Sequence, residues 1–373
     1  MRPDAILETL THAGYEAYYV GGCVRDTLLG REIHDWDVAT SARPEQVLAL
    51  FDRCVPTGIR HGTVTVFCGD ASAEVTTYRC DGAYHDGRHP DAVRFVRSLA
   101  EDLARRDFTV NAMAMDRNGQ ITDLFGGRDD LSRGVIRCVG GADTRFHEDA
   151  LRMLRAYRFS AQLGFRLEAE TAAAAARCAP LAAALSRERV RDEAEKTLLS
   201  PRPEIFGVLM QLGLLRVCGL AGVEDLSRLA DFPATAEARW TGVKLVCPAF
   251  DPAAFRLPAK LCRLIMLTAE TWREDRTALG WKRLIAQSGL QTAQLQAAMQ
   301  RSDAVEAIVR SGDCVTLRSL AVTGADFPQL RGREVGQLLH TLLFYVLEHP
   351  EANTREALLA RAAALRTESE NNS

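Results

Sequence analysis

An α/β head followed by an all-helical remainder is the fold class that the sequence predicts, on three observations. Short runs of β-branched and aromatic residues are confined to the first third of the chain, where they alternate with helix signals. Two adjacent glycines, Gly21 and Gly22, separate the first of these runs from a helical stretch. From Asp143 onward the composition shifts to Leu, Ala, Arg and Glu with few β-branched residues.

Taken in order, Ala17 to Val20 is a strand that ends at the glycine pair, and Val24 to Leu29 is a helix stopped by Gly30. Asp35 to Val38, Thr63 to Phe67 and Ala73 to Tyr78 supply three further strands. The economical arrangement is a small mixed sheet flanked by helices. Leu151, Leu154, Phe159 and Leu163 then fall at helical spacing, as do Val190, Ala194, Leu198 and Leu199. Breaks in the helical part are expected at Pro201-Arg202-Pro203, Gly219 to Gly222, Asp231-Phe232-Pro233, Pro248, Pro252, Gly280 and Pro328. These signals divide the chain into a head (1–130), a neck (131–200), a body and tail (201–366), and a polar end from Thr367 to Ser373 that is expected to fray.

The 373 residues are 47% hydrophobic and 25% charged, as in an ordinary globular protein. A formal charge of −3 argues against a generally basic nucleic-acid coat but leaves room for local arginine clusters that bind phosphate. No basic-then-apolar leader opens the chain, and no apolar run is long enough to span a membrane. The ten cysteines are scattered and never form a CxxC pair, which favours free thiols in a reducing compartment; a cytoplasmic protein is expected.

The sharpest chemical signal is His34-Asp35-Trp36-Asp37-Val38. In a strand, Asp35 and Asp37 project to one face while Trp36 and Val38 turn to the core. Paired carboxylates repel unless solvent or a divalent cation lies between them, and such a pair can hold Mg²⁺ for a phosphoryl transfer. Alone, the triplet equally fits an exposed acidic strand end. Upstream, Gly21-Gly22-Cys23-Val24-Arg25-Asp26 forms a strand-to-helix turn where backbone approaches phosphate easily and Arg25 adds a bidentate contact. The plainer alternative is a tight turn with Arg25 paired to Asp26 or Asp37. Glu74, which opens a strand able to lie beside the one carrying Asp35, is the best third carboxylate, with Asp70, in a turn joining two strands, its rival.

In Arg105-Arg106-Asp107-Phe108-Thr109-Val110-Asn111-Ala112, polar residues interleave with apolar ones as in an element packed on a sheet. Arg106 suits a phosphate and Asn111 a sugar hydroxyl or base edge; an Arg106–Asp107 ion pair is the alternative. Glu148 to Arg158 reads as one helix with Asp149 and Arg152 a turn apart, able to pair and still present an acceptor and a donor edge to a base. Arg155 and Arg158 continue that side, although a salt-bridged surface helix would look the same. Arg189 and Glu193, at i,i+4, can support this helix from behind; for Glu193 a structural role is preferred, and for Arg189 base stacking and support both stay open. The loop from Asp81 to Pro90 is polar and glycine-containing, and is expected to move rather than to bind zinc.

Together these stretches resemble the class II tRNA nucleotidyltransferases, the CCA-adding enzymes and their relatives the bacterial poly(A) polymerases. The glycine turn matches GGxVRD, Asp35 to Asp37 the metal-binding DxD, Thr57 to Val64 TGxxHGTV, Arg105 to Ala112 RRDFTxNA, and Glu148 to Arg158 EDxxRxxR. The resemblance runs from about Tyr18 to Leu199, about half the chain. It implies a polymerase-beta-like mixed-sheet head with Asp35, Asp37 and Glu74 holding two Mg²⁺ ions, and a helical neck, body and tail. It implies that Asp149 and Arg152 act as a protein template choosing CTP and ATP. The nucleotide-binding set is then Gly22, Arg25, Arg106, Asp107, Asn111, Asp149, Arg152, Arg155 and Arg158, and the partner is the tRNA acceptor end, with no DNA and no membrane. Gly324, Gly332, Gly336, Leu338-Leu339 and Asn353 look like a degraded form of the family's tail pattern. No His-Asp pairing marks an extra hydrolase module. A poly(A) polymerase, a CC-only or A-only enzyme, and a non-catalytic RNA-binding protein are the alternatives.

Overall fold

The computed structural model describes residues 2–59, 62–69, 71–81, 93–96 and 98–370. The readings made on His61 and Asp70, and on the loop from 82 to 90, lie outside the described residues. The chain divides into two compact units, Met1–Glu224 and Asp225–Ser373.

The first unit carries every strand among the described residues. In chain order these are β1 (Ala17–Val20), β2 (Asp37–Thr40), β3 (Cys54–Gly58), β4 (Thr63–Cys68), β5 (Ala71–Thr77), β6 (Arg79–Asp81), β7 (Val93–Phe95), β8 (Met113–Met115), β9 (Ile121–Asp123), β10 (Val135–Ile136) and β11 (Arg166–Leu167). Seven form one sheet in the order β3-β4-β5-β2-β1-β8-β9. The sheet is mixed, as expected, because β2 runs parallel to β5 while the other neighbouring pairs are antiparallel.

The helices of this unit are α1 (Asp4–His12), α2 (Gly22–Leu28), α3 (Pro44–Leu50), α4 (Leu99–Ala104), α5 (Gly127–Arg133), α6 (Ala142–Glu148), α7 (Leu151–Leu163), α8 (Ala169–Cys178), α9 (Arg187–Leu198) and α10 (Ile205–Gln211). Along β5 the side chains alternate as a half-buried strand requires: Ala73, Val75 and Thr77 are buried, whereas Ser72 and Glu74 face outward. Ile6, Leu7 and Leu10 of α1 are fully buried, as are Val38, Val64, Val66 and Val75 of the sheet. Val20, Ala39 and Ala114 pack with Tyr78 and Leu103.

Three local expectations change. The strand expected at Asp35 starts at Asp37, and the strand that Glu74 is expected to open starts at Ala71, so Glu74 lies within β5. The single helix expected through Glu148–Arg158 is two helices: Asp149 adopts an extended conformation (φ −147°, ψ 106°), ends α6 and accepts a hydrogen bond from Leu151 N–H at the start of α7. Arg105 and Arg106 follow directly on the end of α4. The short parallel pair β10–β11 interrupts the helical part, its strands too brief to carry a pattern.

The second unit consists of α11 (Ala236–Val246), α12 (Ala259–Glu270), α13 (Ala278–Ser288), α14 (Leu290–Met299), α15 (Ala304–Ser311), α16 (Arg333–Glu348) and α17 (Arg355–Glu370), with 3₁₀ turns between α11 and α12 and on either side of α16. Trp240 stacks on Phe250 with ring centroids 5.4 Å apart and leans on Phe255. Gly280 does not break a helix; it sits in the first turn of α13, donating its N–H to Thr277 Oγ1 at 3.1 Å. Helix α17 continues past Thr367 to Glu370. Among the described residues no helix is long and apolar enough to cross a membrane.

The start of α5 packs against the 3₁₀ turn Thr109–Asn111, which carries a residue of the candidate site. A Cβ on Gly127 would stand 2.3 Å from Thr109 carbonyl oxygen and 2.9 Å from Met113 Cγ. Gly127→Ala is therefore expected to destabilise the first unit by about 2 kcal/mol through overpacking; urea unfolding identical to the parent would contradict this packing.

Candidate functional site

The site begins with backbone pairing. Parallel registration of β2 and β5 sets Asp37 opposite Glu74, and Glu74 N–H donates to Trp36 carbonyl oxygen at 2.8 Å. Register partners in neighbouring strands point to the same face, so the two carboxylates stand together. Asp35 lies exposed just ahead of the strand, while Trp36 packs on Tyr19 with centroids 4.8 Å apart. Burial pushes the Asp37 carboxyl up to about 6; Arg106 opposes the rise, and Glu74 and Asp35 add to it. Asp35, Asp37 and Glu74 thus act electrostatically as one cluster.

Above the cluster runs the β1–α2 turn. Gly21 has φ +75°, a conformation that favours glycine, and a Cβ there would lie 3.0 Å from Arg106 Nη1 and 3.6 Å from Asp37 Oδ2. The bare Cα therefore keeps open a space bounded by one guanidinium and one carboxylate. Arg106 is fixed by Asp102, which is 1% exposed: Arg106 Nη2 donates to Asp102 Oδ2 at 3.2 Å, while Arg105 and the Arg79 N–H bond Asp102 Oδ1. Burial alone would raise the Asp102 carboxyl, but Arg106 and Arg105 hold it below the ordinary carboxylate range. Arg106 Nε, buried, has no hydrogen-bond partner among the described residues. Sequence reading missed Asp102, whose spacing of three and four residues from the two arginines was the available signal.

The remaining arginines are each claimed by an acid. Arg25 Nε and Nη2 bond Asp26 at 3.0 and 2.8 Å, and its Nη1 bonds Asn111 Oδ1 at 2.7 Å. Its fork is thus engaged by Asp26, as in the plainer reading of the turn, and a Cβ on Gly22 would stand 3.6 Å from Arg25 Nη2. The expected alternative of an Arg106–Asp107 pair is not formed. Asp107 instead takes Arg155 Nε and Nη2 on one oxygen at 2.8 and 2.6 Å, and Phe108 N–H and Asn111 Nδ2 on the other. Burial would raise this carboxyl as well, but Arg155, aided by Arg152 and the Phe108 N–H, brings it down to about 2.

Asp149 and Arg152 do not pair with each other. Asp149 Oδ2 accepts from Arg189 at 2.8 Å; Arg152 donates to Glu148 Oε2 at 2.6 Å and to Arg105 carbonyl oxygen at 3.1 Å. The break in the helix at Asp149 separates the two side chains and gives each its own partner. Glu193, buried on α9, bonds Arg158 at 2.5 Å and stands 4.0 Å from Arg155. Arg189 and Glu193 therefore both reach α7 or its cap from α9.

The donor set at Asp35, Asp37 and Glu74 is all oxygen, the chemistry that hard cations prefer. Among the described residues no three acidic, His or Cys side chains close around one point. An open cluster of this kind suits Mg²⁺, which keeps several waters and takes only one or two carboxylates plus a ligand's phosphates. A crowded, under-neutralised carboxylate beside a space kept clear by glycine fits such an ion.

Comparison with known proteins gives matches across the chain. The family described as Poly A polymerase head domain matches residues 17–137, and the one described as Probable RNA and SrmB-binding site of polymerase A matches residues 164–218. The CCA-adding enzyme of Lactiplantibacillus plantarum is 48% identical over 259 residues, 67% of this chain and 63% of its own length. That of Geobacillus stearothermophilus is 49% identical over 270 residues, 69% of this chain and 66% of its own length. The matched stretch thus spans just under two thirds of these curated relatives. The crystal structure of the Bacillus stearothermophilus CCA-adding enzyme in complex with CTP superimposes with a TM-score of 0.87 at 34% identity, covering 100% of both chains.

An acid with a depressed pKa adds stability above its ordinary value near 3.8, and that contribution is lost as pH falls toward about 2. Asp107→Asn is expected to cost about 3 kcal/mol near neutral pH by leaving Arg155 without its partner. The gap from the parent protein should narrow between pH 4 and 2. A gap independent of pH over that window would show that the Asp107 charge does not anchor α7.

Proposed function

Because the chain belongs to the family of class II CCA-adding enzymes and poly(A) polymerases, we propose that it is an RNA nucleotidyltransferase that adds C, C and A to the 3′ end of tRNA. Its substrates are CTP and ATP, its product besides the extended RNA is pyrophosphate, and its polynucleotide partner is the tRNA acceptor end. The observation that carries this reading is the parallel register of Asp37 with Glu74, with Asp35 close by and Arg106 across a glycine-bounded space.

Asp35, Asp37 and Glu74 would hold two Mg²⁺ ions, which when bound lower the pKa of the attacking hydroxyl and neutralise the triphosphate. Arg106, whose Nε has no partner among the described residues, is the group best placed to meet a phosphate beside Asp37. The RNA 3′-hydroxyl oxygen forms a bond to the α-phosphorus as the bond to the bridging oxygen breaks, pyrophosphate departs, and the hydroxyl proton passes to water. Little acid–base chemistry is asked of side chains; positioning and charge compensation supply most of the effect.

Base choice is assigned to Asp149 and Arg152. Each Asp149 oxygen accepts one bond within the protein and retains a lone pair, enough to accept from an exocyclic amine of cytosine or adenine. Arg152 keeps its Nε–H and a second N–H on Nη2 for ring acceptors. Gly22, Arg25 and Asn111 are placed by this reading along the sugar and phosphates, with Asp107, Arg155 and Arg158 behind the base. Arg189 and Glu193 hold the recognition helix in place. Nine described cysteines, none of them in a disulfide, support a cytoplasmic location.

Purified protein given tRNA lacking its last three nucleotides should add two residues with CTP alone and complete CCA with both nucleotides. Growth on ATP beyond one CCA would favour a poly(A) polymerase, and no pyrophosphate release would leave an RNA-binding protein. Asp37→Ala should lower incorporation by roughly a thousandfold or more with melting little changed; undiminished incorporation would defeat the metal assignment. Asp149→Ala should relax discrimination against UTP and GTP by about 10- to 100-fold. Unaltered selectivity would remove Asp149 from the template.

A further inference from the structure

Phe159, on α7, stands where three guanidinium groups meet. Arg158 Cζ lies 3.8 Å from its ring centroid, and those of Arg25 and Arg155 lie 5.2 and 5.4 Å away. All three are within the ~6 Å reach of a cation–π interaction. The ring is 6% exposed, and Phe108 meets it edge-on at 5.8 Å. It cannot turn freely in that setting.

Each of the three cations is tied by an acid from a different part of the chain. Arg25 is bonded to Asp26 on α2, Arg155 to Asp107 after α4, and Arg158 to Glu193 on α9. Those carboxylates fix each arginine to its own neighbour. Three like charges gathered so closely repel one another, and the negative face of an aromatic ring offsets that repulsion where an aliphatic side chain of equal volume would not. Phe159 is the group that all three share.

We propose that Phe159 is a positioning residue for the nucleotide. Its ring holds Arg25 of the head in register with Arg155 and Arg158 of α7, so that donors left over by the acids face the bound triphosphate and base. Arg155 has most to offer: its side chain is 34% exposed, and its Nη1 stands 4.0 Å from Glu193, beyond hydrogen-bond distance. The inference rests on the assignment of these arginines to nucleotide binding made above.

The test replaces Phe159 with mono-, di- and trifluorinated phenylalanine, which keep the shape of the ring while draining charge from its face. KM for CTP and for ATP should rise stepwise, by roughly tenfold over the series, with kcat and melting temperature nearly constant. Phe159→Leu should raise KM as far, and Phe159→Tyr should restore it. Arg155→Gln, measured alongside, should also raise KM. A flat fluorine series beside a raised KM in Arg155→Gln would overturn the role of the ring. An unchanged KM in Arg155→Gln would overturn the nucleotide assignment of the arginines, and the inference with it.

Discussion

Two carboxylates pinned side by side by a parallel strand pair are the constraint on which the rest of this molecule depends. The register of β2 with β5 leaves Asp37 and Glu74 no freedom to separate, and Asp35 adds a third negative group within reach of the same field. Arg106 is one positive charge against three. Burial raises Asp37 to about 6, Arg106 opposes the rise, and Glu74 and Asp35 add to it. Among the described residues, folding thus holds in place a deficit of positive charge that a bound cation would make good.

The acids around the neck behave in the opposite way. Asp102, Asp107 and Glu193 are buried, and each is met by arginine: Asp102 by Arg105 and Arg106, Asp107 by Arg155, and Glu193 by Arg158 and Arg155. Asp107 falls to about 2 where Asp37 rises to about 6, though both are carboxylates removed from water. What separates them is the charge of the neighbours. The compensated acids serve as anchors: Asp102 fixes Arg106 and the root of β6, Asp107 ties α7 to the turn after α4, and Glu193 ties α7 to α9. Of these anchors, Asp102 is the one that keeps an arginine, Arg106, beside the uncompensated site.

Much of this was legible in the residues. Short runs of β-branched and aromatic residues at β1, β4 and β5 identified the sheet, and the glycine pair identified the turn that keeps space open beside Asp37. Glu74 was correctly set beside the DxD strand, although its place within β5 was misjudged. The partners of the charged residues were not legible. Sequence spacing offered Asp149 to Arg152 and Arg106 to Asp107, whereas the structure joins Asp149 to Arg189 and Asp107 to Arg155, some forty residues apart. Spacing along a helix reports neighbours only while the helix continues, and the extended backbone at Asp149 ends it. Phe159 gave no signal beyond helical periodicity, because the arginines around it come together only in the fold.

The most direct measurement is anomalous diffraction from crystals soaked with Mn²⁺ and CTP, Mn²⁺ replacing Mg²⁺ as the scatterer. The account predicts two peaks between the nucleotide's phosphates and the carboxylates of Asp35, Asp37 and Glu74, with oxygen ligands at about 2.0–2.3 Å. Bound CTP with no anomalous density there, and Asp37 neutralised instead by Arg106 or a proton, would contradict it.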